Sequence, residues 1–164
     1  MWNNACILFG SQTGNSECIA SDLFSRIEDE IVVNCAGQKK KKVTLSHLND
    51  FASPDKWDVW KQPDNVVVII CSTTGNGDFP ENADRFWRSV KKRNLQRDAL
   101  SGVNYMVVGL GDTNYDKFCY AGKQIDQRLC ELGANRVAPM VCADEATGLE
   151  EVIEPWLEDM VKLI

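Results

Sequence analysis

Apolar residues in this chain come in short unbroken runs, separated by stretches that mix apolar and polar positions at helical spacing. Cys6-Ile7-Leu8-Phe9 is the first run, and an apolar stretch without alternation predicts a strand covered on both faces. It ends at Gly10, and Ser11-Gln12-Thr13-Gly14-Asn15-Ser16 follows with only hydroxyl, amide and glycine character. From about Glu17, the positions Ile19, Ala20, Leu23, Phe24 and Ile27 fall on one helical face. Gln38-Lys39-Lys40-Lys41-Lys42 reads as a solvated helix end and loop, and Val43-Thr44-Leu45 as a short second strand. Phe51 to Asp64, with two prolines and two tryptophans, predicts an irregular or short helical connection.

Val66 to Cys71 is β-branched and apolar throughout, the pattern of a central strand. Pro80 opens a helix whose buried stripe is Phe86, Trp87 and Val90. Val103 to Val108 predicts a fourth strand, and Cys119 to Leu132 a helix closed by Gly133. Val137 to Cys142 reads as the last strand and Glu150 to Leu163 as the last helix. Strands alternating with helices predict an α/β three-layer sandwich over residues 1–164. Short right-handed crossovers favour a five-stranded parallel sheet in the order 2-1-3-4-5.

Composition narrows the function. With 164 residues and 44% hydrophobic content, the chain can form one domain with a substantial core. No apolar run approaches a membrane span, and no secretory signal precedes the first strand. A net charge of −6 disfavours nucleic acid and anionic membrane as partners and suits a basic protein surface. The seven cysteines are scattered, and Cys6, Cys71 and Cys142 fall in strand-like runs. Core packing in a reducing, cytoplasmic setting is the expected role. The single histidine, His47, lies far from any motif, which argues against a histidine triad or a zinc site.

In such a sheet, ligands lie at the carboxyl ends of the strands where the winding reverses. Three loops should meet there: Ser11 to Ser16, Ser72 to Asp78, and Leu110 to Cys119. The first leads into a helix N-terminus, where free N–H groups and a partial charge of about +0.5 attract an anion. It lacks the lysine of a triphosphate loop and the glycine spacing of a pyrophosphate loop, so a monophosphate fits better. Hydroxyls and amides would hold that phosphate without a metal or a positive side chain. Gly75 and Gly77 let backbone approach a flat ligand, and Tyr115 could stack on a ring system. A monophosphate joined to a planar heterocycle is FMN. An ordinary capped turn remains the plainer reading of the first loop taken alone.

Gly10-Ser11-Gln12-Thr13-Gly14-Asn15, Thr73-Thr74-Gly75-Asn76-Gly77-Asp78 and Gly109-Leu110-Gly111-Asp112-Thr113-Asn114-Tyr115 resemble the FMN-binding, flavodoxin-like domain of the NADPH-dependent diflavin reductases. Phe118-Cys119-Tyr120-Ala121-Gly122-Lys123 and Glu154-Pro155-Trp156 look most like methionine synthase reductase, while Asn82 to Leu100 leans toward the cytosolic iron–sulfur-assembly reductases. The resemblance implies that Ser11, Gln12, Thr13, Gly14, Asn15 and Ser16 wrap the phosphate. It places Thr73, Thr74, Gly75, Asn76, Gly77, Leu110, Gly111 and Asp112 along the cofactor, with Tyr115 on one ring face and Phe118 and Cys119 near the ring or ribityl chain. The Gly75 carbonyl would meet flavin N5 when that nitrogen is protonated. Many relatives cover the second ring face with an aromatic residue, where this chain has Thr74.

The resemblance further implies an oxidoreductase component that relays single electrons, with FAD and NADPH on a module absent from this chain. The acceptor would be methionine synthase, a haem protein or an iron–sulfur protein. Asp78, Glu81, Asp84, Asp144, Glu145, Glu150 and Glu151 would as a cluster steer a basic partner, although for any single one plain solubility is the better reading. A standalone flavodoxin and an FMN-dependent quinone reductase are the competing readings. A phospho-receiver on the same sheet would want paired acidic residues after the first strand, where this chain has Gly10-Ser11-Gln12.

Overall fold

The computed structural model describes residues 2–33 and 41–164. Most of the lysine run, Gln38 to Lys40, lies outside the described residues, and Lys42 opens a strand. The elements are β1 (Asn4–Gly10), α1 (Asn15–Val33), β2 (Lys42–His47), two 3-10 turns (Leu48–Phe51 and Pro54–Lys61) and β3 (Asn65–Ser72). They continue with α2 (Glu81–Val90), β4 (Asn104–Gly111), α3 (Tyr120–Glu131), β5 (Asn135–Arg136), β6 (Val141–Asp144) and α4 (Glu150–Leu163).

All strand pairs are parallel, in the order β2-β1-β3-β4, with β5 and β6 both on the far edge of β4. Gly10 pairs with Cys71 and Ser72 with Leu110, so β1, β3 and β4 end abreast and release their loops along one rim. The chain leaves β1 for β2 on one side and re-enters at β3 on the other, which puts the reversal of winding between β1 and β3.

Both faces of the sheet are covered, which is why β3 carries no polar alternation. Val66, Val68 and Ile70 face the α1 and α4 layer with Leu23, Ile27, Trp156 and Leu157. Val67, Ile69 and Cys71 face the α2 and α3 layer with Phe86, Ile125 and Leu129. The connection from Phe51 to Asp64 proves to be part of that second layer. Trp57 and Trp60 are each 1% exposed, stacked 6.5 Å apart, and Trp57 Nε1 donates to the Phe51 carbonyl at 2.9 Å.

The last strand differs from the continuous Val137–Cys142 expected from its pattern. It is two pieces, and Val137 keeps one ladder bond, donating to the Tyr105 carbonyl at 2.9 Å. Pro139 has no N–H to continue the ladder. The break also lets Met140 turn inward, where its Cε would lie 2.7 Å from a Cβ built on Gly109 and 2.8 Å from one on Gly122. Methionine fills the seam between β4 and α3 that an unbroken strand would leave open.

Candidate cofactor site

A groove of about 350 Å³ opens at the rim, low in the range for small-molecule sites, and all three loops contribute to its walls. The first loop is shaped as an anion cradle. Gly14 sits at φ +99°, a conformation glycine reaches without strain, and its N–H donates to Ser11 Oγ at 3.0 Å. The Ser11 N–H is taken by Asn82 Oδ1 at 2.9 Å. Among the described residues, the N–H groups of Gln12, Thr13, Asn15 and Ser16 have no protein acceptor in this loop. Ser16 Oγ is fully buried without a hydrogen-bond partner. A buried hydroxyl without a partner is rare in native proteins, and here Ser16 Oγ stands beside free loop N–H groups at the start of a 19-residue helix. A phosphate oxygen is what this set lacks.

The second loop closes as a tight hairpin. Thr74 and Asp78 exchange backbone bonds of 2.9 and 2.8 Å, and Gly75 and Gly77 take φ +48° and +93°. Thr73 Oγ1 accepts from the Ala121 N–H at 3.1 Å, so that side chain ties the loop to α3. Ser72 Oγ donates to the Gly10 carbonyl at 3.2 Å and fastens β3 to β1 at the rim. Thr74 and Gly75 line the groove, and Asn76 lies just outside it beside Asn114 and Asp116. Phe79 and Trp87 stack on each other, centroids 4.7 Å apart at 9°, so each ring already has a partner.

In the third loop, Tyr115 stands on the groove wall, 63% exposed, with its ring free of any aromatic partner among the described residues. Gly111 and Asp112 line the same wall. Asp112 accepts the Asn114 N–H at 2.8 Å, which fixes the turn under Tyr115. Leu110 projects into the core against α1 and α4, leaving only its backbone at the rim. Phe118 packs behind Gly111, and Cys119 is fully buried beneath it.

The carboxylates divide by role. Asp78, Glu81, Glu150 and Glu151 are exposed. Asp84 pairs with Arg88 at 2.8 Å, and Glu145 accepts from Asn15 Nδ2 at 3.1 Å. Asp144 accepts from Thr113 Oγ1 at 2.6 Å and from the N–H groups of Thr113 and Ala146 at 3.1 and 2.9 Å. Those bonds, led by the Thr113 hydroxyl, hold its carboxyl below the usual range and hold the third loop to β6.

Pattern reading missed Lys117. It lines the groove, its stem crosses Gly77, and its ammonium lies 5.3 Å from the Tyr120 ring centroid. A Cβ on Gly77 would come within 2.4 Å of Lys117 Cδ, so Gly77 provides the seat on which the third loop rests against the second. The expectation was that no positive side chain holds the nucleotide, and it did not consider Lys117, which stands in the groove wall. The available signal was a lysine two residues beyond Tyr115. Asn82 was missed as well, since it lies outside the three loops, and Ser72 was placed in the second loop without a role of its own.

A doubly wound parallel sheet with an anion cradle and an exposed aromatic at its switch point defines a mononucleotide-binding domain. The Flavodoxin family matches residues 7–156, and the chain belongs to that family, whose cofactor is FMN. Its sequence kinship runs to the diflavin reductases. It is 35% identical over 159 residues to NADPH-dependent diflavin oxidoreductase 1 of Xenopus laevis, covering 96% of this chain and 24% of that protein. It is 36% identical over 157 residues to methionine synthase reductase of Bos taurus, covering 94% of this chain and 20% of that protein. The chain thus spans a fifth to a quarter of these relatives. A flavodoxin variant from Pseudomonas aeruginosa superposes with a TM-score of 0.69 at 28% identity, over 97% of each chain.

Among the described residues, no helix is long and apolar enough to cross a membrane, and no group of His, Cys, Asp and Glu could hold a metal ion.

Proposed function

We propose that this domain binds FMN at the rim and passes single electrons from an FAD- and NADPH-bearing module to a protein acceptor. The observation that carries the reading is the set of unpartnered amides with the buried Ser16 Oγ, in the loop whose Gln12 and Thr13 line the same groove as the exposed Tyr115. Ser11 to Ser16 would hold the phosphate, Thr74 and Gly75 would border the ring, and Tyr115 would cover one face. FMN supplies reversible electron uptake when bound, and the protein supplies position and electrostatics. The groove offers no nucleophile paired with a base, so relay suits it better than bond-making catalysis.

Asp78 and Glu81 beside the second loop, with Glu150 and Glu151 on the first turn of α4, form the acidic surround that steers a basic acceptor. The name of methionine synthase reductase makes methionine synthase one acceptor class, and a haem or an iron–sulfur protein are the others this reading allows. A standalone carrier is the second reading, in keeping with the 28% identity to a flavodoxin variant. Titration with FMN should give a stoichiometric yellow complex, and a protein that stays colourless at saturation would end both readings. Electron transfer from the reduced complex to a basic protein acceptor should slow as salt rises, and a rate indifferent to ionic strength would remove the steering role.

A further inference from the structure

Beneath the third loop lies a pair of thiols that electron relay does not use. Gly109 on β4 pairs in register with Cys142 on β6, so their side-chain positions share one face of the sheet. On that face Cys119 Cβ lies 3.1 Å from a Cβ built on Gly109, in the space the glycine leaves open. The Cys119 Sγ–H faces two carbonyls, Gly109 at 3.3 Å and Ala143 at 3.9 Å, and the latter belongs to the residue that follows Cys142. Cys119 is fully buried, whereas Cys142 is half-buried on a strand that bonds to β4 alone among the described residues.

We propose that Cys119 and Cys142 form a hydroperoxide-sensitive dithiol site, whose oxidation joins the two sulfurs and loosens the groove wall that carries Tyr115. The division of labour follows from exposure and charge. The neighbouring Cys119 thiol favours the thiolate of Cys142 and Lys123 on α3 helps, while partial burial and Asp126 on the same helix oppose it. The neighbouring Cys142 and burial keep Cys119 protonated. The Cys142 thiolate attacks one oxygen of a hydroperoxide, ROOH, the O–O bond breaks, and ROH leaves once protonated. The resulting sulfenic acid is attacked by the Cys119 sulfur; the S–O bond breaks, the S–S bond forms, and water departs with the Cys119 proton. Two thiols lose two electrons in all, and the hydroperoxide gains them.

The link to the groove is Cys119 itself. It caps α3 in a left-handed conformation at φ 53°, uncommon for a residue with a side chain. Its N–H lies 2.6 Å from a Cβ built on Gly111, and its sulfur 3.2 Å, so it backs the wall that Gly111 lines. Drawing that sulfur from the Gly109 carbonyl toward Cys142 moves the hinge between the third loop and α3.

The test uses the chain with Cys18, Cys35 and Cys130 changed to serine, exposed to hydrogen peroxide. The expected result is loss of two titratable thiols, a mass lower by about 2 Da, and a peptide joining Cys119 to Cys142. FMN binding should weaken roughly tenfold and recover with a dithiol reductant. Adding Cys142→Ser should abolish the crosslink while leaving reduced-state FMN affinity unchanged. A stable sulfenic or sulfinic acid at Cys142 without the crosslink would overturn the pairing. A crosslink that leaves FMN affinity unchanged would overturn the coupling to the groove. The crosslink needs no flavin, so its failure is distinguishable from failure of the cofactor reading.

Discussion

Replacing Tyr115 with alanine tests the cofactor site most directly. The ring is 63% exposed. A tyrosine side chain offers roughly 200 Å², so about 130 Å² is free, and a ligand on one face would cover about 60 Å². At ~25 cal/mol/Å² this is about 1.5 kcal/mol. Ring-on-ring geometry adds about 1 kcal/mol. Losing both should raise the FMN dissociation constant roughly 50- to 100-fold. Quenching of flavin fluorescence during titration reads the constant. The fold should hardly notice, because an exposed side chain without a specific partner changes stability by about 0.5 kcal/mol or less, which a urea melt will show. Ser16→Ala provides the contrast, since it should weaken FMN but leave riboflavin, which lacks the phosphate, unaffected. Tyr115→Ala should weaken both equally. A change of less than about threefold for Tyr115→Ala would refute the stacking assignment.

Thr74→Tyr should tighten FMN by about 1 kcal/mol, read in the same titration, because Phe79 and Trp87 occupy each other and leave the second ring face bare. An unchanged constant would show that face to be covered already. Lys117→Gln should flatten the salt dependence of FMN binding, since it removes the lysine that lines the groove; identical slopes for both proteins would clear Lys117 of any electrostatic part. Asp144, depressed below its ordinary value by Thr113, contributes stability that is present above about pH 4 and lost as pH falls through its lower folded value. The thermal midpoints of parent and Asp144→Asn should therefore differ at pH 6 and converge in acid, and a constant gap down to low pH would contradict that role.

Local chemistry is what made the architecture legible. The runs Cys6 to Phe9 and Val66 to Cys71 lack polar residues because helices cover both faces of their strands, and that condition writes itself into every position. The polar loops are legible for a related reason, since Gly14, Gly75 and Gly77 take positive φ angles that their own turns demand. Other features depend on partners distant in sequence. Trp57 and Trp60 occur in an irregular, proline-flanked segment, so composition could not mark them as core. Their burial comes from the docking of that segment beside Phe86. The split of the last strand needs Met140 to find the seam left by Gly109 and Gly122, residues 31 and 18 positions upstream.

What the chain alone determined was therefore the parallel sheet, its winding and the edge at which a nucleotide could sit, since hydrophobic periodicity and turn chemistry are properties of neighbours in sequence. Which side chains work at that edge was decided by folding. Lys117 reaches the groove because Gly77 leaves space for its stem, Asp144 ties down a loop 31 residues before it, and Cys119 meets Cys142 across a glycine of a third element. Each of these is a contact between segments, set by strand register and close packing, and no single stretch of sequence contains it.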